Sequence, residues 1–339
     1  MPRSRYLPDD FTLLLSGVVA IATVWPCRGV WAEAFHALTN GAIALLFFMH
    51  GAKLSREAVV AGLTHWRLHL LVFACTFAMF PMLGLALRPL LMPLVTPELY
   101  VGVLFMCALP ATVQSSIAFT SIARGNVSAA VCSASASSLL GIVVSPLLIG
   151  VMLSQHGAVA SLAAVEAIVL QLLVPFVAGQ FMRRWIGAWI ERHRAVLATA
   201  DRSSVLLVVY AAFSEAVVGG LWQQIPARAL VGVAAVCVVL LLLALLITTQ
   251  LARRLGFDRA DEIAIVFCGS KKSLSNGIAM ARVLFASHAV GVIVLPVMLF
   301  HQIQLMVCAW LAQRYADRLA RDRQNGPAAK ADAPGWNEL

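Results

Sequence analysis

The sequence predicts an all-α polytopic membrane protein with ten transmembrane helices, arranged as two inverted five-helix repeats. Three observations support this fold class: an apolar composition, ten long apolar runs, and basic residues that collect in alternate loops. Of the 339 residues, 61% are hydrophobic and only 12% are charged. An ordinary soluble domain is far less apolar, so the expected solvent is a lipid bilayer.

The ten apolar runs are separated by short polar breaks. A helix crosses the hydrocarbon core in about 17 to 25 residues, and each run approaches or exceeds that length. The spans are predicted at Leu7 to Trp25, Ala34 to Lys53, Leu68 to Leu87, Leu99 to Ala123, Val127 to Leu153, Leu162 to Met182, Ser204 to Gly220, Ala229 to Leu251, Ile263 to Phe285 and Ala289 to Leu311.

Basic residues test this segmentation, because Lys and Arg accumulate in cytoplasmic loops. With these spans only Arg28, Arg88, Arg228 and Arg282 fall on one side, and nearly all other basic residues fall on the opposite side. Both termini are therefore expected in the cytoplasm, and the expected location is a bacterial inner membrane. The net charge of +9 reflects topology, and no basic cluster with interleaved aromatic residues indicates a nucleic-acid partner.

An odd number of spans per half places the second half upside down relative to the first. The predicted units are a first repeat over residues 1–155, a second, inverted repeat over 156–315, and a disordered cytoplasmic tail over 316–339. The seven cysteines show no spacing typical of a metal site, and no cofactor is expected.

Spans four and nine contain the most polar intramembrane stretches of the chain. Pro110 lies about 17 Å from one end of span four and Lys271 about 12 Å from the opposite face, both near the middle of the core. Unwound backbone at this depth survives only where protein or a water-filled cavity satisfies it, so the two stretches predict broken helices around a binding site. The candidate binding residues are Gln114, Ser115, Ser116, Ser270, Lys271, Ser273, Ser275 and Asn276. A proline kink with a serine-rich packing seam is the alternative.

Lys271 and Lys272 are the most costly residues in the spans, since a buried cation must face protein or water. Glu215 in span seven is predicted at a similar depth, about 17 Å from the cytoplasmic end of its span. The pair would act as a proton carrier or as a salt bridge remade during transport; a static ion pair that fixes helix packing is the alternative. His301 in span ten accompanies Gln304 near the same depth.

Several stretches resemble one family of transporters. They are Ala123 to Asn126, Thr112 to Thr120, Cys132 to Ser137 and Met306 to Leu311. Over about residues 7–315 the chain is similar to the bile acid:sodium symporter family, and within it to the branch of the seventh human member. The resemblance implies ten helices in a panel domain (spans 1, 2, 6 and 7) and a core domain (spans 3 to 5 and 8 to 10), with spans 4 and 9 broken and crossing.

The same resemblance implies two sodium ions, held by oxygen ligands from spans 3, 4, 5 and 9. In this chain the aligned positions are Thr76, Ser116, Ile117, Ala130 and Ala134, and the family's span-nine glutamate falls near Ser270 or Lys271. A fixed ammonium in place of a carboxylate repels sodium and attracts anions. No metal site is therefore expected from these residues.

These features predict a secondary active transporter that works by alternating access on a small, anionic organic solute, with a proton or sodium as coupling ion. Its partners are the solute and membrane lipid. A membrane sensor or regulator that does not transport is the first alternative. An intramembrane hydrolase with a Ser–Lys pair is the second, but adjacent residues on one segment make a poor catalytic pair and the chain is not expected to be an enzyme.

Overall fold

The computed structural model describes residues 10–53, 65–154, 169–220, 223, 225–285 and 290–324, and its regular structure there is helical. Helices α1 to α12 are numbered along the chain. They are α1 (Asp10–Val24), α2 (Val30–Lys53), α3 (Trp66–Ala86), α4 (Pro97–Ala108), α5 (Val113–Ile122), α6 (Val127–Ser154), α7 (Val174–Arg192), α8 (Arg194–Val218), α9 (Ala227–Arg254), α10 (Arg259–Gly269), α11 (Leu274–Leu284) and α12 (Val290–Gln324). A π-helical turn, Cys75–Met79, interrupts α3, and another, Val169–Leu173, precedes α7.

Among the described residues, six helices are long and apolar enough to cross a membrane, namely α2, α3, α6, α8, α9 and α12. A seventh span results if the bent pair α4 and α5 is taken as one. Helix α1 is apolar but shorter, and α10 and α11 flank the two lysines. The chain is therefore an all-helical, polytopic membrane protein.

Helices α7 and α8 differ from the predicted spans six and seven. The arginine-rich segment between these spans is helical up to His193, and α8 begins at Arg194, ten residues before the predicted start. This extension is amphipathic: Ile190 and Leu197 are buried against Met49 at the end of α2. The prediction of a loop was wrong because a charged segment also continues a helix when one of its faces is apolar.

The predicted disordered tail also begins too early. Helix α12 extends to Gln324, so residues 316–324 are helical, while residues 325–339 lie outside the described part of the chain. The sequence from 316 to 324 is dominated by Ala, Leu, Arg and Asp and contains neither Pro nor Gly. Most of these residues tolerate a helix well, whereas Pro and Gly, which first occur together at 326 and 327, end one.

The helices form two packing groups. In one, α1, α2, α7 and α8 pack on each other; in the other, α3 to α6 pack with α9 to α12. The main contacts between the groups are those of α8 with α11 and α12. At this boundary Gly291 of α12 lies so close to Ala216 of α8 that a Cβ on the glycine would collide with the alanine methyl group, as in close helix contacts built from small residues.

The stretch Ala123 to Asn126 forms the turn that ends α5. Arg124 has a left-handed φ of 57°, Gly125 N donates to Thr120 O at 2.8 Å, and Arg124 N donates to Ser121 O at 3.0 Å. These two bonds define a Schellman cap. Asn126 then fastens the turn to the start of α10, because its Nδ2 donates to Asp261 Oδ1 at 2.8 Å.

Candidate functional site

Two interrupted helices meet within the second group, and their contact is called the crossing. The axes of α4 and α5 bend by 62° across residues 109–112, and residues 270–273 separate α10 from α11. The interruptions bind each other: Ser273 N donates to Pro110 O at 2.9 Å, and Thr112 Oγ1 donates to Lys272 O at 2.7 Å. Ser116 Oγ adds a bond of 2.8 Å to Phe267 O. The breaks predicted at Pro110 and Lys271 therefore meet.

Helix α6 supports this crossing with serine side chains. Ser137 Oγ accepts a hydrogen bond of 3.1 Å from Ala111 N in the interruption before α5. Asn276 Nδ2, from the first turn of α11, donates to Ser138 Oγ at 2.8 Å. Gly141 leaves room for the Pro110 ring, since a Cβ there would lie 2.6 Å from Pro110 Cβ.

Lys272 places its ammonium group among backbone oxygens. Its Nζ donates to the carbonyl oxygens of Thr76, Cys107 and Leu109, each at 2.8 Å. It also lies 4.2 Å from the centroid of the Phe80 ring, within cation–π range. The residue is completely buried. Two of these carbonyls belong to the C-terminal end of α4, where the helix dipole favours a cation.

The third carbonyl, that of Thr76, is left without its helical hydrogen bond by the π turn in α3. Phe80 N donates to Cys75 O, so it does not donate to Thr76 O as it would in an α-helix. The next residue, Pro81, has no N–H to donate. Thr76 O is therefore left without a backbone donor and is free for the Lys272 ammonium. The Thr76 hydroxyl points elsewhere, donating to Val72 O at 2.8 Å.

Lys271 points to a different environment from its neighbour. Its Nζ donates to Ser115 Oγ at 3.2 Å and lies 3.8 Å from the centroid of the Phe119 ring and 5.6 Å from that of Phe267. The side chain is fully buried. Within the described ranges, neither Lys271 nor Lys272 has a carboxylate within 4.0 Å. Lys271 therefore presents a positive charge whose described contacts are a hydroxyl group and aromatic rings.

Gln304 holds the backbone of the second interruption in place. Its Oε1 accepts from Lys272 N and its Nε2 donates to Lys272 O, both at 2.9 Å. The same Nε2 lies 2.9 Å from His301 Nδ1. These bonds satisfy backbone groups that the break in the helix leaves without intrahelical partners. Intramembrane glutamine in span ten was the sequence signal for this contact.

Glu215 does not contact Lys271 at the crossing. It sits three residues before the end of α8, and its Oε2 lies 2.6 Å from Arg282 Nη1 near the end of α11. The predicted pairing with Lys271 is not formed, because Glu215 lies in the last turn of α8 and is paired there with Arg282. The ion pair lines a cavity of about 680 Å³ that also includes Arg28, Glu33 and Cys27.

The remaining predicted residues take varied positions. Ser116 and Ser270 are buried and bond to backbone carbonyls, the latter to Val266 O at 2.6 Å. Ser273 caps α11 by accepting from Asn276 N. Ser275 is half-buried, whereas Gln114 in the first turn of α5 is exposed.

Only two of the five positions aligned with the family's sodium ligands, Thr76 and Ser116, carry a side-chain oxygen. Ala130 and Ala134 are buried but carry no side-chain oxygen, and Ile117 is apolar. The three carbonyls that do converge, from Thr76, Cys107 and Leu109, already bind the Lys272 ammonium. Sodium, which requires several oxygen ligands without a fixed cation among them, does not fit this arrangement.

Comparisons with known proteins agree with this architecture. The sequence profile of the SBF-like CPA transporter family matches residues 9–317. The chain is 57% identical to the putative symporter YfeH of Escherichia coli, over 91% of this chain and 92% of the relative. It is 64% identical to the uncharacterised protein PA2026 of Pseudomonas aeruginosa, over 98% and 99%. It is 30% identical to sodium/bile acid cotransporter 7 of the rat, over 78% and 79%.

Three findings lead to the same family assignment. They are the profile match over most of the chain, the two interrupted helices that meet inside an apolar bundle, and the relatives named as symporter or cotransporter. The chain belongs to the SBF-like CPA transporter family and is an integral membrane transporter of the bile acid:sodium symporter type rather than an enzyme.

Proposed function

We propose that this protein is a secondary active transporter for a small organic anion, which binds beside Lys271 at the helix crossing. The observation that carries the proposal is the environment of the Lys271 ammonium group. It is fully buried, it has no carboxylate counterion within the described residues, and its contacts are Ser115 Oγ and the face of Phe119. A buried cation without a counter-charge is stabilised by an anionic ligand.

Other features of the crossing also favour a negatively charged ligand. The N-termini of α5 and α11 both begin at the crossing, and the N-terminus of a helix attracts anions. The binding region would comprise Gln114, Ser115, Ser116, Ser270, Lys271, Ser273, Ser275 and Asn276. The rings of Phe119 and Phe267 beside Lys271 Nζ suit a ligand with an apolar part next to its acidic group.

The proposed architecture consists of ten spans in two inverted repeats, over residues 1–155 and 156–315. It is supported by the order of the helices, since helical residues fall within each of the ten predicted segments, and by the interruptions at corresponding places in the two halves. The panel would be α1, α2, α7 and α8, and the other helices would form the core. The termini would lie in the cytoplasm of a bacterial cell, which fluorescence of a C-terminal green fluorescent protein fusion would test.

The arrangement of the two packing groups supports alternating access as the transport mechanism. The two packing groups meet mainly through α8, α11 and α12, so relative movement of the groups would carry the crossing past a fixed panel. A proton or a sodium gradient would drive accumulation. The relatives named sodium/bile acid cotransporter make taurocholate one reasonable test solute among several organic anions.

Uptake into proteoliposomes tests the proposal. Radiolabelled taurocholate, benzoate and succinate would be offered under an inward proton gradient, an inward sodium gradient or neither. We expect accumulation of at least one anion. The Lys271→Gln variant, which keeps a donor for Ser115 but removes the charge, should lose about tenfold or more of this uptake, since a charge-assisted hydrogen bond contributes about 1.5–3 kcal/mol.

Arg254→Gln is the matched control, because it removes an exposed basic charge at the end of α9, and it should transport normally. Equal losses in both variants would contradict a specific role for Lys271. Saturable binding of an anion without accumulation under any gradient would instead favour a membrane sensor or regulator.

A further inference from the structure

Lys272 occupies a cage of oxygen atoms with the composition of a cation site. Three uncharged carbonyl oxygens, from Thr76, Cys107 and Leu109, converge on its Nζ at 2.8 Å each. Rings of backbone carbonyls replace the hydration shell of alkali cations in membrane proteins. The convergence of such oxygens on one point requires an unusual backbone, because ordinary helices use their carbonyls internally.

Two separate irregularities in the chain produce this backbone. The π turn Cys75–Met79 frees Thr76 O, and the interruption after Ala108 frees Cys107 O and Leu109 O at the end of α4. Without a positive charge, three buried carbonyl oxygens would face one another unsatisfied, which is unfavourable in a membrane interior.

We infer that the Lys272 ammonium is a tethered cation, which permanently replaces a dissociable coupling ion at this cage. It supplies one positive charge and three hydrogen bonds to the oxygens that would otherwise bind sodium or potassium. Because the charge is covalently attached, the cage does not empty and refill during a transport cycle. The structure should therefore require no alkali cation at this position for its stability.

The neighbouring lysine provides an internal comparison. Lys271 Nζ contacts one hydroxyl oxygen, Ser115 Oγ, and the face of Phe119, and its contacts among the described residues include no carbonyl oxygen. A free cation should therefore substitute for the Lys272 side chain and fail to substitute for that of Lys271.

This inference specifies the ion requirement of the transporter proposed above, and only its consequence for transport rests on that function. Thermal unfolding of the purified protein tests it without any solute, so its failure would leave the proposal of anion transport standing. The proteins are the wild type, Lys272→Ala and Lys271→Ala, each measured at equal ionic strength in the chlorides of sodium, potassium, choline and n-propylammonium. Propylammonium has the same heavy atoms as the part of lysine that the alanine substitution removes.

We expect the melting temperature of the wild type to be the same in all four salts. Lys272→Ala should melt lower in choline and recover by about 4 °C or more in propylammonium, sodium or both, because a ligand that binds only the folded state stabilises it. Lys271→Ala should show no such recovery. If Lys272→Ala does not fold, Lys272→Gln, whose amide reaches fewer of the oxygens, takes its place with the same criteria.

Two results would overturn the inference. One is a saturable, sodium-specific rise in the melting temperature of the wild type, which would show that a dissociable ion still binds. The other is a Lys272 variant whose melting temperature is equal in choline, sodium and propylammonium, since its vacated oxygens would then have no affinity for a cation.

Discussion

The ion pair between Glu215 and Arg282 joins α8 to α11, and therefore joins the two packing groups. Its Oε2 and Nη1 atoms are 2.6 Å apart; the arginine side chain is 5% exposed and the glutamate side chain 31% exposed. Fully exposed pairs contribute about 0–1 kcal/mol, whereas breaking a buried pair costs about 3–5 kcal/mol. A half-screened pair of this kind should therefore show a coupling energy of about 2 kcal/mol.

A double-mutant cycle with Glu215→Gln, Arg282→Gln and the double variant measures that coupling. Each single variant should lower the melting temperature by about 4 °C, on the basis of about 2 °C per kcal/mol for a large chain. The melting temperature of the double variant should fall by much less than the sum of the two single-variant decreases. Glu33→Gln is the control, because this exposed residue lines the same cavity and should have little effect.

Labelling of Cys27 gives a second measurement on the same variants. Cys27 lines the cavity beside the ion pair, while the other six cysteines are buried. Loss of the pair loosens the contact between α8 and α11, so a membrane-impermeant maleimide should react with Cys27 faster in Glu215→Gln than in Glu33→Gln. Additive melting shifts, together with equal labelling rates in the two variants, would refute a role of this ion pair in joining the groups.

Two further substitutions, each with a control, test the packing at the crossing and the ion pair between Glu262 and Arg253. Gly141→Ala should lower the free energy of unfolding by about 1–3 kcal/mol, because its Cβ would lie 2.6 Å from that of Pro110; Gly17→Ala, with open space around it, should raise it by about 0.5–1 kcal/mol. Glu262→Gln should cost about 2–3 kcal/mol, since this buried carboxylate accepts two bonds of 2.9 and 3.0 Å from one arginine. Glu191→Gln is the control: this exposed glutamate lies 3.8 Å from Arg183, so its substitution should change stability by less than about 1 kcal/mol. Denaturant unfolding measures the free energy of unfolding of all four variants. A control whose stability changes as much as that of its partner variant would contradict the argument for that contact.

The two interruptions were predictable because their residues are unfavourable in a continuous apolar helix. Pro110 lacks a donor, and Lys271 and Lys272 bring charge to the middle of a span, so the sequence signalled where regular structure would fail. Their depths, counted from opposite faces, also indicated that they would meet. The bond between Ser273 N and Pro110 O confirms that contact.

The separate environments of the two lysines were not predictable. Periodicity assigns residues to faces in a helix, but residues 270–273 are not helical, so consecutive side chains follow no fixed angle. Sequence analysis placed Lys271 near a position of the family's sodium ligands, whereas it is Lys272 that lies in the carbonyl cage. The oxygens of that cage belong to the backbone, and a sequence does not show which carbonyls are left without donors.

Glu215 was misplaced for a different reason. Its depth was counted from Ser204 as the first residue of the span, but α8 begins at Arg194. Arginines usually mark the end of a membrane span, and here they lie on helices that continue beyond it. The ion pair with Arg282 could be found only once both helix ends were known.

The π turn Cys75–Met79 gives α3 a place where the chain length can change by one residue. It holds one residue more than an α-helical turn would hold over the same rise, so deletion of Ala78 would convert it to regular α-helix and leave the later residues of α3 in their present register. Pro81 would then follow Thr76 by four residues, and because proline has no N–H the Thr76 carbonyl would stay available to the Lys272 ammonium. A single-residue deletion in the regular α-helical part of α3 would instead rotate every later side chain by about 100° relative to its present neighbours.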